Sequence, residues 1–127
     1  DPATGDCPSM RVLVCGSRKW PYKGLIRRTL YQVQPSEIIH GGAAGADTMA
    51  GDIGEEMNIK VTRVPADWSR GSGAGFERNL KMLAMKPEMV LAFHLNKSPG
   101  TAHTIREARR QGIPVRVIEP SDAAQAP

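Results

Sequence analysis

Arg11-Val12-Leu13-Val14-Cys15-Gly16-Ser17-Arg18-Lys19-Trp20 is apolar from Val12 through Cys15, with β-branched valine at two of the four positions, then turns abruptly to glycine, a small hydroxyl and two cations. A continuous apolar run of this length reads as a strand covered on both faces, which is the habit of parallel sheets. Similar short runs recur at Glu37 to His40, Lys60 to Val64, Met89 to Phe93 and Val115 to Ile118. Between them lie helical patterns over Gly24 to Gln34, Ala46 to Met57, Phe76 to Met85 and Thr101 to Gln111, with Leu80 and Leu83 of the third directed at the core. Strict alternation of strand and helix predicts an α/β, Rossmann-like doubly wound fold. Its sheet has five mostly parallel strands, in the order 3-2-1-4-5 that right-handed crossovers and one reversal of winding produce.

The chain has 127 residues, enough for one domain, placed at residues 10–119. Hydrophobic residues make up 40% and charged residues 24%, a balance that excludes disorder for most of the chain. No apolar run nears the roughly 20 residues that cross a bilayer, so no membrane partner is expected. The formal charge of +4 fits an anionic ligand and is modest for a nucleic-acid surface. The cysteines, Cys7 and Cys15, have no zinc-ligand spacing, Cys15 falls in a buried strand, and the pair points to a reducing, cytoplasmic setting. Residues 1–9, ahead of Met10 as the natural start, read as an extension without periodic pattern, and residues 120–127 as a frayed tail.

In a doubly wound sheet, ligands bind beyond the carboxyl ends of the strands. Four junctions there carry glycine, small polar or charged residues: Gly16-Ser17-Arg18, Gly41-Gly42-Ala43-Ala44-Gly45-Ala46-Asp47, Ala66-Asp67-Trp68 leading into a Gly/Ser-rich loop, and Asn96-Lys97-Ser98-Pro99-Gly100-Thr101. The Gly41–Asp47 stretch reads either as a phosphate cradle of backbone amides or as a tight turn that needs glycine. It has neither the Lys-Ser/Thr ending of a P-loop nor the G-x-G-x-x-G spacing of a dinucleotide fingerprint. Asp47 can cap its helix or meet a ribose hydroxyl, the cap being the simpler reading. Ser98, Gly100 and Thr101 form a second phosphate-binding candidate, with Thr101 alternatively an N-cap. Trp20, Tyr22, Trp68 and Phe76 fall on the same rim, and Trp20 and Trp68 are the candidates for stacking on a base, against loop packing as the plainer role. Arg78 and Asn79 open the third helix, where a cation opposes the helix dipole, so either an anionic ligand or Glu77 is its partner. His40, His94 and His103 lack a metal-site pattern, and no metal or cofactor is assigned.

Val14 to Trp20, His40 to Asp47, Phe76-Glu77-Arg78-Asn79-Leu80-Lys81-Met82 and Ser98-Pro99-Gly100-Thr101 together resemble the YspA/YpsA-related branch of the SLOG superfamily, which is named for the Smf/DprA and Lonely Guy proteins. The resemblance spans about residues 10 to 118. It implies a nucleotide or nucleotide-derived ligand at the sheet's carboxyl edge, in a sensor or binding module, with Gly16, Ser17, Arg18, Gly41, Gly42, Ala43, Gly45, Ala46, Asp47, Arg78, Asn79, Ser98, Gly100 and Thr101 around it. Lonely Guy enzymes are phosphoribohydrolases, and Arg78 resembles their active-site arginine, which makes it the catalytic candidate. The matching helix start here lacks their double glycine, and Thr104 stands where their glutamate would be. Cleaving an N-glycosidic bond calls for a carboxylate. Ligand binding is therefore the leading expectation, with phosphoribohydrolase chemistry and DprA-like single-stranded DNA binding as alternatives. The superfamily's habit of pairing through helices allows a homo-oligomer.

Overall fold

Alternate side chains of β1 (Arg11–Gly16) enter two separate cores, Val12 and Val14 on one face and Leu13 and Cys15 on the other. That two-sided burial is why the strand is apolar without interruption. In the computed structural model, which describes residues 10–95 and 98–121, β1 is the centre of a five-stranded parallel sheet. It is flanked by β2 (Glu37–His40) and β4 (Met89–Phe93), with β3 (Lys60–Arg63) and β5 (Val115–Ile118) at the edges, in the order β3-β2-β1-β4-β5. Leu13 aligns with Ile39 and Val90, and Gly16 with Phe93. All four pairings are parallel.

Helices α1 (Lys23–Val33) and α2 (Ala46–Glu56) cover the Val12/Val14 face through Leu25, Ile26, Leu30, Ala50 and Ile53. Helices α3 (Ala74–Ala84) and α4 (Pro99–Arg110) cover the other through Met82, Leu83, Ile105 and Ala108. The chain winds outward from β1 to β3, then crosses back to β4 on the other side of β1. The two loops that diverge at that reversal, after β1 and after β4, leave a crevice at the carboxyl edge.

Three details differ from the sequence reading. Helix α3 begins at Ala74, and Leu80 is 42% exposed: the inward arc of the helix is Asn79, Met82 and Leu83, so a polar residue holds the position that Leu80 was expected to fill. Helix α4 begins at Pro99, whose fixed φ and missing amide suit a first helical position, so Thr101 lies buried in the first turn and is not the cap. Ser98 takes the cap position. Residues 1–9 with Cys7, the Asn96-Lys97 part of the fourth junction, and residues 122–127 of the tail lie outside the described residues. Among the described residues no helix is long and apolar enough to cross a membrane.

Candidate functional site

The β1 and β2 junctions are pressed together by small residues. A Cβ on Gly16 would lie 2.6 Å from both the Ala46 Cβ and the Phe93 carbonyl oxygen. Gly45, at φ +79°, has the Ser17 and Arg18 carbonyls where a side chain would start. Ser17 ties the seam: its amide donates to the Phe93 carbonyl, its carbonyl accepts from Trp20 and Ala46, and its hydroxyl accepts from the Lys19 amide. This packing carries Arg18, itself exposed, out over the sheet edge.

Above the seam is a cavity of about 870 Å³. Its floor is Cys15, Gly16 and Ser17; Arg18, Ala43, Asp47 and Arg78 form one wall; Ser98 to Thr101, at the start of α4, form another; Trp68 and Phe76 stand at the mouth. All four junctions therefore contribute. Trp68 and Phe76 are 56% and 46% exposed, an unusual state for large aromatic surfaces. Phe76 also stacks on His103, with ring centroids 4.2 Å apart. At α4, Pro99 has no amide to offer, and among the described residues no acceptor meets the Gly100 and Thr101 amides. That helix end keeps its positive character.

Trp20, expected to stack on a base, is a core residue. It is 1% exposed, packs edge-on against Phe93 and Tyr22, and donates its indole N–H to the Tyr22 carbonyl at 3.1 Å. With its indole spent and its ring enclosed by α1, it has no face for a ligand. Gly45 and Ala46, assigned to phosphate, do not line the cavity; they make the seam with β1.

The amide cradle read into Gly41–Asp47 is likewise replaced by an internal network. Asp47 Oδ2 accepts from the amides of Gly41 at 3.0 Å and Ala43 at 3.3 Å, and His40 Nδ1 accepts from Gly42 at 3.0 Å. Three successive loop amides are thus engaged. Asp47 is inside α2, so it caps the loop and not the helix, whose N-cap is Gly45. Burial pushes its carboxyl up to about 6; the two amide bonds and the Arg78 and Arg18 charges pull the other way. Burial also holds His40 below the ordinary imidazole value, helped by Arg63, and drives the Cys15 thiol far up, so Cys15 is a packed thiol with no nucleophilic character.

The cationic wall is built on glycines. Arg78 Nη1 donates to the Gly41 carbonyl at 2.7 Å and its Nε to Asn79 Oδ1 at 3.0 Å. A Cβ on Gly41 would fall 2.3 Å from that Nη1, so only glycine lets the guanidinium lie on the backbone. Burial lowers the Arg78 pKa, and Asp47 opposes the shift. Asn79 Nδ2 meets the Gly100 carbonyl and His103 Nδ1, both at 3.3 Å. Asn79 therefore joins Arg78 to the start of α4 as a positioning residue, its polar atoms consumed within the protein. Glu77 pairs with Arg70 and not with Arg78. Thr104 lines the cavity, and its hydroxyl donates to the Gly100 carbonyl; Asp47 is the carboxylate among the lining residues.

The sequence reading passed over Arg63. It ends β3 and lines a side recess of about 170 Å³ together with Arg18 and Arg78. The carboxyl-edge rule that selected Arg18 applies equally to a cation closing the third strand. Among the described residues there is no group of three or more His, Cys, Asp or Glu placed to hold a metal ion.

Residues 10–71 match the model of the YspA, cpYpsA-related SLOG family. The Gene 61 protein of Mycobacterium phage D29 is 38% identical over 120 residues, covering 83% of this chain and 93% of the phage protein. The chain belongs to the YspA, cpYpsA-related SLOG family. Among solved structures, DNA processing protein A (DprA) from Streptococcus pneumoniae superposes with a TM-score of 0.73 at 18% identity, over 85% of this chain. The chain spans half of that protein's length. The likeness extends to the fold, the same Rossmann-like α/β architecture.

Proposed function

We propose that this SLOG domain binds a nucleotide-derived, phosphorylated ligand in the crevice between the β1 and β4 loops. The observation that carries the reading is the convergence of three kinds of surface on one cavity of about 870 Å³. Arg18 and Arg78 supply positive charge; the Gly100–Thr101 helix start supplies amide donors; Trp68 and Phe76 supply exposed ring faces. A phosphorylated nucleoside presents the complements: an anion, hydroxyls and a flat base. The volume falls within the 300–1,000 Å³ or so typical of small-molecule sites.

Binding is favoured over bond cleavage because Thr104 occupies the position of the Lonely Guy glutamate and spends its hydroxyl on a backbone carbonyl. The test is a thermal-shift panel of nucleoside monophosphates, nucleoside diphosphates, ADP-ribose and cyclic dinucleotides. A ligand at a hundred times its dissociation constant adds about 2.7 kcal/mol of stability. A clear rise in Tm with one class, abolished by Arg78→Ala, is the expected result; a flat panel overturns the reading. Release of free base during the same incubations would instead establish hydrolysis, with Asp47 the carboxylate to replace first.

A further inference from the structure

We infer that the recess formed by Arg18, Arg63 and Arg78 is a second phosphoryl subsite, so that the ligand of the main cavity carries a diphosphate. This deepens the nucleotide-binding reading and rests on it. The recess, about 170 Å³, is floored by Gly41 and Gly42 and walled by the three arginines and Trp68. Its floor explains the double glycine. A Cβ on Gly41 would lie 2.3 Å from Arg78 Nη1, and one on Gly42, at φ +78°, would lie 2.2 Å from Arg63 Nε. Consecutive residues without side chains thus seat two guanidinium groups side by side on the backbone, and Arg18 closes over them from the β1 loop.

Like charges gathered this way repel unless an anion sits among them. Among the described residues, the ion pairs formed by arginine use Arg27, Arg70 and Arg110, all elsewhere. Asp47 is the carboxylate whose charge Arg78 and Arg18 feel, but it is buried behind the loop with its Oδ2 on the Gly41 and Ala43 amides, and no carboxylate is among the described residues lining the recess. The loop amides cannot serve a ligand either, since Asp47 and His40 take those of residues 41, 42 and 43. The charged donors that the recess offers a guest are therefore its guanidinium groups. The guanidinium groups of Arg18 and Arg63, with the Nη2 end of Arg78, fit a terminal phosphoryl group, with three oxygens and close to two charges, better than a carboxylate with two oxygens and one charge.

Arg18 and Arg78 belong to the lining of both spaces. A group bound in the recess is therefore contiguous with one in the cavity. Two phosphoryl groups joined through one oxygen would straddle that shared wall, the inner facing the cavity and the outer facing Arg63.

The test compares matched nucleoside mono- and diphosphates of each base, and inorganic pyrophosphate, by calorimetry on the wild type, Arg63→Gln and Arg63→Lys. Arg63 is exposed, so neither change threatens the core. The expected result is that one diphosphate binds at least tenfold more tightly than its monophosphate. Arg63→Gln removes that advantage, bringing the diphosphate to the affinity of the monophosphate, and Arg63→Lys restores part of it. Equal binding of the two nucleotides by the wild type, or an advantage that survives Arg63→Gln, overturns the subsite and leaves nucleotide binding standing. Arg63-dependent binding of pyrophosphate with no nucleotide bound supports the subsite and overturns the nucleotide reading. No binding of any probe overturns both.

Discussion

Asp47 is a carboxylate enclosed by protein and held beneath the loop it organises. Because burial raises its folded pKa to about 6 from an ordinary 3.8, the native chain takes up this proton before the unfolded chain does. Its contribution to stability is thus complete below about pH 3.8 and is lost as pH rises through about 6. Asp47→Asn keeps an acceptor for the Gly41 and Ala43 amides and removes the charge. Urea titrations from pH 4 to 7.5 should show the wild type losing on the order of 3 kcal/mol relative to the variant, since each tenfold difference in proton affinity is worth about 1.4 kcal/mol. A difference constant with pH would contradict this account. Two glycines make a second pair of expectations. A Cβ on Gly16 meets a short side chain and a backbone carbonyl, neither of which can yield, so Gly16→Ala should cost about 1–3 kcal/mol in denaturant melts. A Cβ on Gly41 meets only the end of Arg78, which can swing away. Gly41→Ala should therefore fold nearly as well as the wild type and bind nucleotide more weakly, as calorimetry would register.

The connections after β1 and β3 each carry a tryptophan, and their opposite fates show how far element-level reading goes. Trp20 turns inward because the β1–α1 connection runs back over the sheet, where Phe93 and α1 enclose the ring. Trp68 opens a 3₁₀ turn, Trp68–Arg70, held by the Asp67 side chain accepting from the Ser69 amide, and stays at the cavity mouth. Trp20→Ala should lower stability by about 3–5 kcal/mol. Trp68→Ala should change it by no more than about 0.5 kcal/mol while weakening nucleotide binding severalfold, the loss of a stacking face being worth roughly 1–3 kcal/mol per base. Thermal melts and a titration on both variants check the pair. From the chain alone the two residues look alike: both follow a strand and both sit among polar neighbours. The inner strands β1, β2 and β4 were legible because two-sided burial leaves a mark at nearly every position, as from Val12 to Cys15, whereas the edge strands β3 and β5 are only partly covered and carry charged residues. The ends of α3 and α4 were less so, because Leu80 satisfies helical spacing whether it faces the core or water, and Pro99 fits before a helix as well as at its first position.

For the whole domain, the useful contrast is between a small-molecule crevice and a nucleic-acid track. The cationic residues of the site gather at one end of the sheet around two adjoining spaces. Affinity for oligothymidylate should accordingly fail to grow with length beyond a few nucleotides, in contrast to the length- and salt-dependent binding of a strand-tracking protein. Fluorescence anisotropy across a length series at two salt concentrations would decide this. The alternation of apolar strands and amphipathic helices was enough to specify the strand order, and with it the edge at which the junctions after β1 to β4 would meet. Hydrophobic periodicity is a local pattern, and the rules of crossover handedness do the rest. Which atoms at that edge remain open to a ligand was settled by folding. The amides of Gly41, Gly42 and Ala43 were claimed by Asp47 and His40, and Arg63 came from a distant strand to stand beside Arg78. Hydrogen-bond satisfaction and charge placement depend on neighbours in space, which a linear pattern of residues does not encode.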